Sequence, residues 1–104
     1  MAFSKAPLYR EEAQLVGFYA RAILHPERQM ILEVLNKSGP LTVEELTKLS
    51  PLSQSAISRH LETLREADLV GFVEGFPYTH YNVKLENVIK MRNAINGFFD
   101  GFQI

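Results

Sequence analysis

Apolar residues recur along this chain at two different periods, and the change of period divides it. Residues 1 to 7 carry no pattern and read as a loose arm. From about Leu8 to Leu24, Leu15, Val16, Tyr19, Ala22 and Ile23 return at helical spacing, with Phe18 as a further large apolar group. Arg10, Glu11, Glu12 and Arg21 occupy the other sides. That is more apolar surface than one core face of a small helix needs, so it serves either the chain's own core or a partner chain as well. His25-Pro26 marks the next boundary, with Pro26 suited to the first position of a helix running to about Asn36. Met30, Ile31, Val34 and Leu35 form its inward stripe. Ser38-Gly39-Pro40 reads as a turn, and Leu41 can add a short edge strand.

From Leu41 to Leu69 the pattern predicts two short helices joined by a tight turn. Thr42 can cap the first, Glu45 completes a capping box, and Leu41, Val43, Leu46 and Leu49 supply an apolar side. Ser50-Pro51 stops it, because proline lacks a backbone donor and restricts the residue before it. Ser53 is the next N-cap, and Ile57, Leu61 and Leu64 then fall on one helical face with His60 at its edge. After Leu69 the period becomes that of strands. Val70–Glu74 and Tyr78–Val83, separated by Gly75-Phe76-Pro77, predict a hairpin. A last helix is expected from about Leu85 to Phe102, with Leu85, Val88, Ile89, Met91, Ile95, Phe98, Phe99 and Phe102 on a broad apolar side. Its aromatic residues suit both core and interface.

The helix that begins after Ser53 carries Gln54, Ser55, Ser58, Arg59 and Glu62 opposite its apolar face. Serine is a mediocre helix former, and a merely solvated face usually carries more Lys and Glu. Two readings stay open at this level: a solvated face capped by serine, or side chains chosen to reach base edges and phosphates from a helix lying in a major groove.

Composition narrows the classes. The chain has 104 residues and a hydrophobic fraction of 46%, which suits one domain spanning 1–104 whose core is sufficient if dimerisation helps. It contains no cysteine, which excludes disulfides, thiolate metal sites and cysteine nucleophiles. No apolar run approaches the ~18 residues of a membrane span, and the first ten residues lack a signal-peptide pattern, so a cytoplasmic location is expected. The net charge of −1 opposes DNA binding by bulk charge but permits a local basic patch.

The string LSQSAISRHLETLREADLV, preceded by HPERQMILEVL and followed by a Gly-containing hairpin ending in HYNV, resembles winged-helix regulators of the ArsR family over roughly residues 10 to 100. Asp68 stands where glycine is commoner in that family, at a helix terminus whose left-handed conformation Asp tolerates. The resemblance implies a mainly α winged helix-turn-helix with a small β-hairpin, in the order helix, helix, short strand, helix, helix, strand, strand, helix. It implies a dimer through the first and last helices, here Leu15, Phe18, Tyr19, Ile95, Phe98, Phe99 and Phe102. On DNA it puts Gln54, Ser55, Ser58 and Arg59 near base edges, and Ser53, Arg65 and Lys48 near the backbone. A two-fold dimer would space its recognition helices by about 34 Å and read an inverted repeat in double-stranded DNA. The hairpin corresponds to the family's wing, which is usually rich in Arg and Lys. The stretch GFVEGFPYTH contains neither, leaving Tyr78, Thr79 and His80 as neutral phosphate donors or as packing residues.

Many such regulators hold metals through a Cys-containing motif in the first helix of the two-helix unit, or through His and Asp on the last helix. This chain carries TVEELTKLS in the first place and no histidine in the second. His25, His60 and His80 are isolated in sequence, so no metal or other cofactor is expected, and any effector is a small organic molecule or a partner protein. His25 can also be a ligand or a pH sensor, although a helix-boundary role fits its place. Arg28 and Lys37 are candidates for phosphate contact or plain surface charges. The sequence has no phosphate loop, nucleophile elbow or convergent carboxylate–histidine set, so it does not read as an enzyme. Three readings remain: a dimeric, sequence-specific repressor, a winged-helix module that binds another protein and, behind these two, a metal-responsive sensor with an unusual site.

Overall fold

The computed structural model describes residues 11–75 and 77–104. The expected arm at 1–7, the start of the first helix at 8–10, and Phe76 in the hairpin connection lie outside the described residues. The order is α1 (Glu11–Ala22), α2 (Pro26–Ser38), α3 (Val43–Lys48), α4 (Gln54–Glu66), β1 (Val70–Val73), β2 (His80–Val83) and α5 (Leu85–Asp100). This is the mainly helical architecture with a small hairpin that the resemblance implies. The short strand expected at Leu41 is a single bridge: Leu41 donates to the Tyr81 carbonyl at 3.0 Å, and Tyr81 donates back at 2.7 Å.

The core forms where the inward stripes of α2, α3 and α4 meet. Ile31 and Leu35 from α2, Leu46 from α3, and Ile57, Leu61 and Leu64 from α4 are buried together with Leu69 and Val70 at the start of the hairpin. Tyr19 and Ala22 of α1 close the same cluster. Leu49 departs from its expected place on the apolar side of α3. It sits at the C-cap and is 61% exposed, because the helix ends after Lys48 and the chain turns there toward Pro51.

Local signals set most of the helix ends. Thr42 accepts from the Glu45 amide at 3.1 Å, and Glu45 accepts from the Thr42 amide at 3.0 Å, which completes the capping box. Gly39, with φ +83, caps α2 and lets it run to Ser38, two residues past the expected end. At the end of α1 the sequence pattern continues to Leu24, yet the helix stops at Ala22. Arg28 from α2 donates from Nη1 to the carbonyls of Arg21 (3.0 Å) and Ala22 (3.2 Å), and Gln29 Nε2 donates to the Ile23 carbonyl at 2.8 Å. These side chains take the orphan carbonyls that another helical turn would have used. Arg28, a candidate for phosphate contact in the sequence, is therefore committed within the chain.

The hairpin is antiparallel, with Val70 opposite Val83 and Val73 opposite His80, so it is shorter at its tip than the strand propensities suggest. Before it, Asp68 adopts φ +60, as expected for a residue standing in place of glycine. α5 ends at Asp100, leaving Phe102 just beyond the helix, and it packs against α1.

The capping box yields a stability prediction. Thr42→Ala should lower unfolding free energy by about 1 kcal/mol, seen as a lower denaturation midpoint at unchanged slope. An unchanged midpoint would mean that α3 is held by packing alone.

Candidate nucleic-acid interface

α4 has one buried and one open side. Ile57, Leu61 and Leu64 are at most 1% exposed, whereas Gln54, Ser55, Ser58, Arg59 and Glu62 are all exposed on the other side. Ser53 starts the helix in an extended backbone conformation, and its Oγ accepts from the Ala56 amide at 3.2 Å. The same Oγ lies 3.2 Å from Ser55 Oγ, so two hydroxyls are grouped at the helix start. The first turn of α4 contains no acidic residue. Its partly positive N-terminal end thus carries no carboxylate of its own, unlike that of α3, which carries Glu44 and Glu45, although Glu44 lines the same groove as Gln54. Among the described residues, the Arg59 side chain forms no hydrogen bond or ion pair.

The structure brings together Ser53, Gln54, Ser55, Ser58 and Arg59, an open set of hydroxyl, amide and guanidinium donors on half a helix. It does not bring Lys48 and Arg65 into that set on equal terms. Lys48 ends α3 and faces Glu44 at 3.6 Å, with both side chains largely in solvent, so the pair holds it weakly. Arg65 is at the far end of α4. Its Nη2 and Nε reach the two oxygens of Glu62 at 2.7 and 3.1 Å, and its guanidinium stands 5.4 Å from the centre of the Phe72 ring. The Glu62 carboxylate is pushed below its ordinary range by that Arg65 pair.

The hairpin comes close to the start of α4. Gln54 lines one groove with Thr42, Glu44, Tyr78, Thr79 and Tyr81, so hairpin residues that can donate neutral hydrogen bonds and one carboxylate share the opening at the start of α4. Of the expected dimer residues, Leu15, Phe18, Phe99 and Phe102 are exposed, and Ile95 and Phe98 are half-buried. Phe98, Phe99 and Phe102 form a ring cluster with centroid separations of 5.1, 5.1 and 6.0 Å. Tyr19 differs. It is 5% exposed within the single chain, where it packs in the core beneath α1, and so has little surface left for a partner.

Two features escaped the sequence reading. His60, at the edge of the buried face of α4, accepts at Nδ1 from Arg28 Nε at 3.4 Å, a long contact, and its ring centre is 6.5 Å from that of His25. Arg28 thereby touches both the end of α1 and the middle of α4. Burial pushes the His60 pKa down, with the positive charge of Arg28 and Arg59 adding to it against the opposing Glu27. Asn87 is the second. It is 7% exposed, and it sits at the inward spacing of Met91 and Ala94, which was the available signal. No three His, Asp or Glu side chains among the described residues converge as a metal site would require.

Residues 25–71 match the family described as "Bacterial regulatory protein, arsR family". The chain is 30% identical over 93 residues to the nodulation protein NolR of Rhizobium meliloti, covering 89% of this chain and 75% of NolR. It is 32% identical over 77 residues to the transcriptional repressor PagR of Bacillus anthracis, covering 72% and 78% of the two chains. The crystal structure of NolR from Sinorhizobium fredii superposes with a TM-score of 0.71 at 29% identity, over 95% of this chain and 96% of that one.

The His60 environment predicts a titration. In NMR, His60 is expected to titrate below its ordinary 6.5, and Arg28→Ala should move the midpoint upward. Because the folded-state value is depressed, the stability linked to neutral His60 is complete above about 6.5 and is lost as pH falls through the lowered folded value. A midpoint at or above 6.5 in the unmodified chain would contradict the contact.

Proposed function

The chain is a transcriptional regulator of the bacterial ArsR family with a DNA-binding winged helix-turn-helix, and from that premise we propose that it acts as a cytoplasmic homodimeric repressor at an inverted-repeat operator. The observation that carries this reading is the open face of α4. A helix whose first turn lacks carboxylates and whose exposed side offers Gln, Ser and Arg is matched to phosphates and base edges in a major groove. Gln54, Ser55, Ser58 and Arg59 read bases; Ser53, Lys48 and Arg65 meet the backbone, the last after exchanging Glu62 for phosphate. The repressor sign follows what PagR is named for, and its physical basis is occlusion of the promoter by the bound dimer.

The dimer forms through α1 and α5. Phe18 (48%), Phe99 (53%) and Phe102 (51%) leave large apolar area in water beside Leu15, Ile95 and Phe98, and burying aromatic area against a second copy is strongly favourable. Two recognition helices related by the two-fold axis then fall about one turn of B-DNA apart. The wing contributes neutral donors, Tyr78 and Thr79, beside Gln54. With no basic residue at its tip and a net charge of −1, the chain depends on geometric fit more than on bulk attraction. The same charge pattern, with Phe72 (41%) and Val73 (68%) exposed on the hairpin, favours the second reading, a protein-binding module. No described helix is long and apolar enough to cross a membrane.

The first test is binding to the DNA upstream of its own gene at two salt concentrations, with a random duplex as competitor. Competitor-resistant binding that weakens steeply with salt is expected. No preference over random DNA would turn the search to a protein partner. Arg59→Ala should weaken operator binding by about 1–3 kcal/mol at unchanged thermal midpoint, since Arg59 lies off the buried face. Full affinity in that variant would remove α4 from the interface. The pair Phe98→Ala with Phe99→Ala should dissociate the dimer in sedimentation at low concentration and lower affinity for a two-half-site duplex; a fully dimeric variant would move the interface elsewhere.

A further inference from the structure

Four elements meet at one polar joint behind the recognition helix. Asp68 ends α4 in the left-handed conformation, which costs a non-glycine residue free energy and must be held by its surroundings. Three contacts hold it. Lys84 Nζ lies 2.6 Å from Asp68 Oδ1, Asn87 Nδ2 donates to the Asp68 carbonyl at 2.7 Å, and the same amide donates to Asp68 Oδ2 at 2.9 Å. The Lys84 backbone amide donates to the Leu69 carbonyl at 2.9 Å, closing the base of the hairpin. Gly71 leaves room for the crossing of Lys84: a Cβ there would stand 2.9 Å from Lys84 Cε and would make the flexible lysine end shift.

Asn87 differs in kind from the surface pairs. It is the single buried polar side chain among the described residues, and its amide group is spent on Asp68 alone. Removing it leaves a carbonyl and a carboxylate oxygen short of a donor in a half-closed site, a heavier loss than opening an exposed ion pair. The joint therefore ties the end of α4 to the first turn of α5, and α5 is the helix that carries the proposed dimer surface. α4 has 13 residues, so its reading end lies about 20 Å from the joint. A tilt of about 10° there displaces Gln54 by roughly 3 Å, about one base-pair step.

We propose that Asn87, acting through Asp68, is a positioning residue that fixes the angle between α4 and α5 and so sets the spacing of half-sites the dimer accepts. The proposal rests on the dimeric operator reading above and extends it from which residues touch DNA to what determines their separation. Asn87 touches no DNA. Its effect is expected on the match between two half-sites, not on the affinity of either one.

The test uses duplexes selected from a random library by the unmodified chain, resynthesised with the half-sites moved one or two base pairs closer or farther. The unmodified chain should bind best at one spacing. Asn87→Ala should lose about tenfold at that spacing while keeping its affinity for a single half-site, so that its preference among spacings flattens; circular dichroism and sedimentation verify that it stays folded and dimeric. Asp68→Asn, which keeps the carbonyl acceptor and weakens the Lys84 pair, should flatten the preference in the same direction to a smaller extent, and it decides the matter if Asn87→Ala does not fold. A folded variant that retains the full spacing preference overturns the proposal. If the unmodified chain itself shows no preference among spacings, the dimeric operator reading falls and takes the proposal with it.

Discussion

The structure depends on the burial of one side of α4. Ile57, Leu61 and Leu64 are withdrawn almost completely from water, and burying a side chain of this size contributes about 1.5–3 kcal/mol. Three of them together approach the whole net stability of a typical domain, about 5–15 kcal/mol. This single seam fixes the rotation of the helix about its own axis. Once it is fixed, Gln54, Ser55, Ser58 and Arg59 have nowhere to face but outward. The open polar surface is thus a geometric consequence of core packing, and its side chains were free to be selected for contact instead of for stability.

Rotation about the axis is one degree of freedom; direction in space is another, and polar contacts govern it. At the middle of α4, His60 accepts from Arg28, which also bridges to the last carbonyls of α1. Just past its C-terminal end, the Asp68, Lys84 and Asn87 joint links it to the first turn of α5. α1 and α5 pack on one another. α4 is therefore held at its middle and just past its last turn to the pair of helices that carries the exposed aromatic surface, while its N-terminal end stays free of such ties. Hydrogen bonds suit this task because they are directional and costly to leave unmade, whereas apolar burial tolerates sliding.

Ordinarily a regulator of this size draws affinity from basic residues around the reading helix. Here the wing tip is neutral to acidic and the chain is slightly negative, while Arg28 and Arg65 are both engaged with groups of the chain itself. In the proposed DNA contact, the face that remains relies on donors placed by the fold, including Tyr78 and Thr79, which line one groove with Gln54. Such an interface would gain more from register than from charge, which gives the proposed positioning role of the Asp68 and Asn87 joint more weight than it would have in a strongly basic protein.

Local order was legible wherever a signal is short in range. The capping box at Thr42 and Glu45, the cap at Ser53, the left-handed position at Asp68 and the inward triplet of α4 each need only residues within two turns, so composition and spacing suffice to reveal them. The family, with its regulatory fold, was legible for the same reason. What the sequence could not show depends on where side chains settle once the elements are assembled, whether their partners are near in the chain or far. α1 stops at Ala22 because Arg28 arrives to take its carbonyls, and Tyr19 is lost to the core because α1 settles there. Leu49 stays in solvent because α3 ends before it. Arg65 pairs within its own helix and stacks on a strand residue, and Asn87 finds Asp68 nineteen positions away. Periodicity alone thus determined which face of each helix is apolar, since that depends on neighbours in sequence; which polar groups are spent inside the molecule, and which are left to meet DNA, was decided by the tertiary structure, since only there do their partners come within reach.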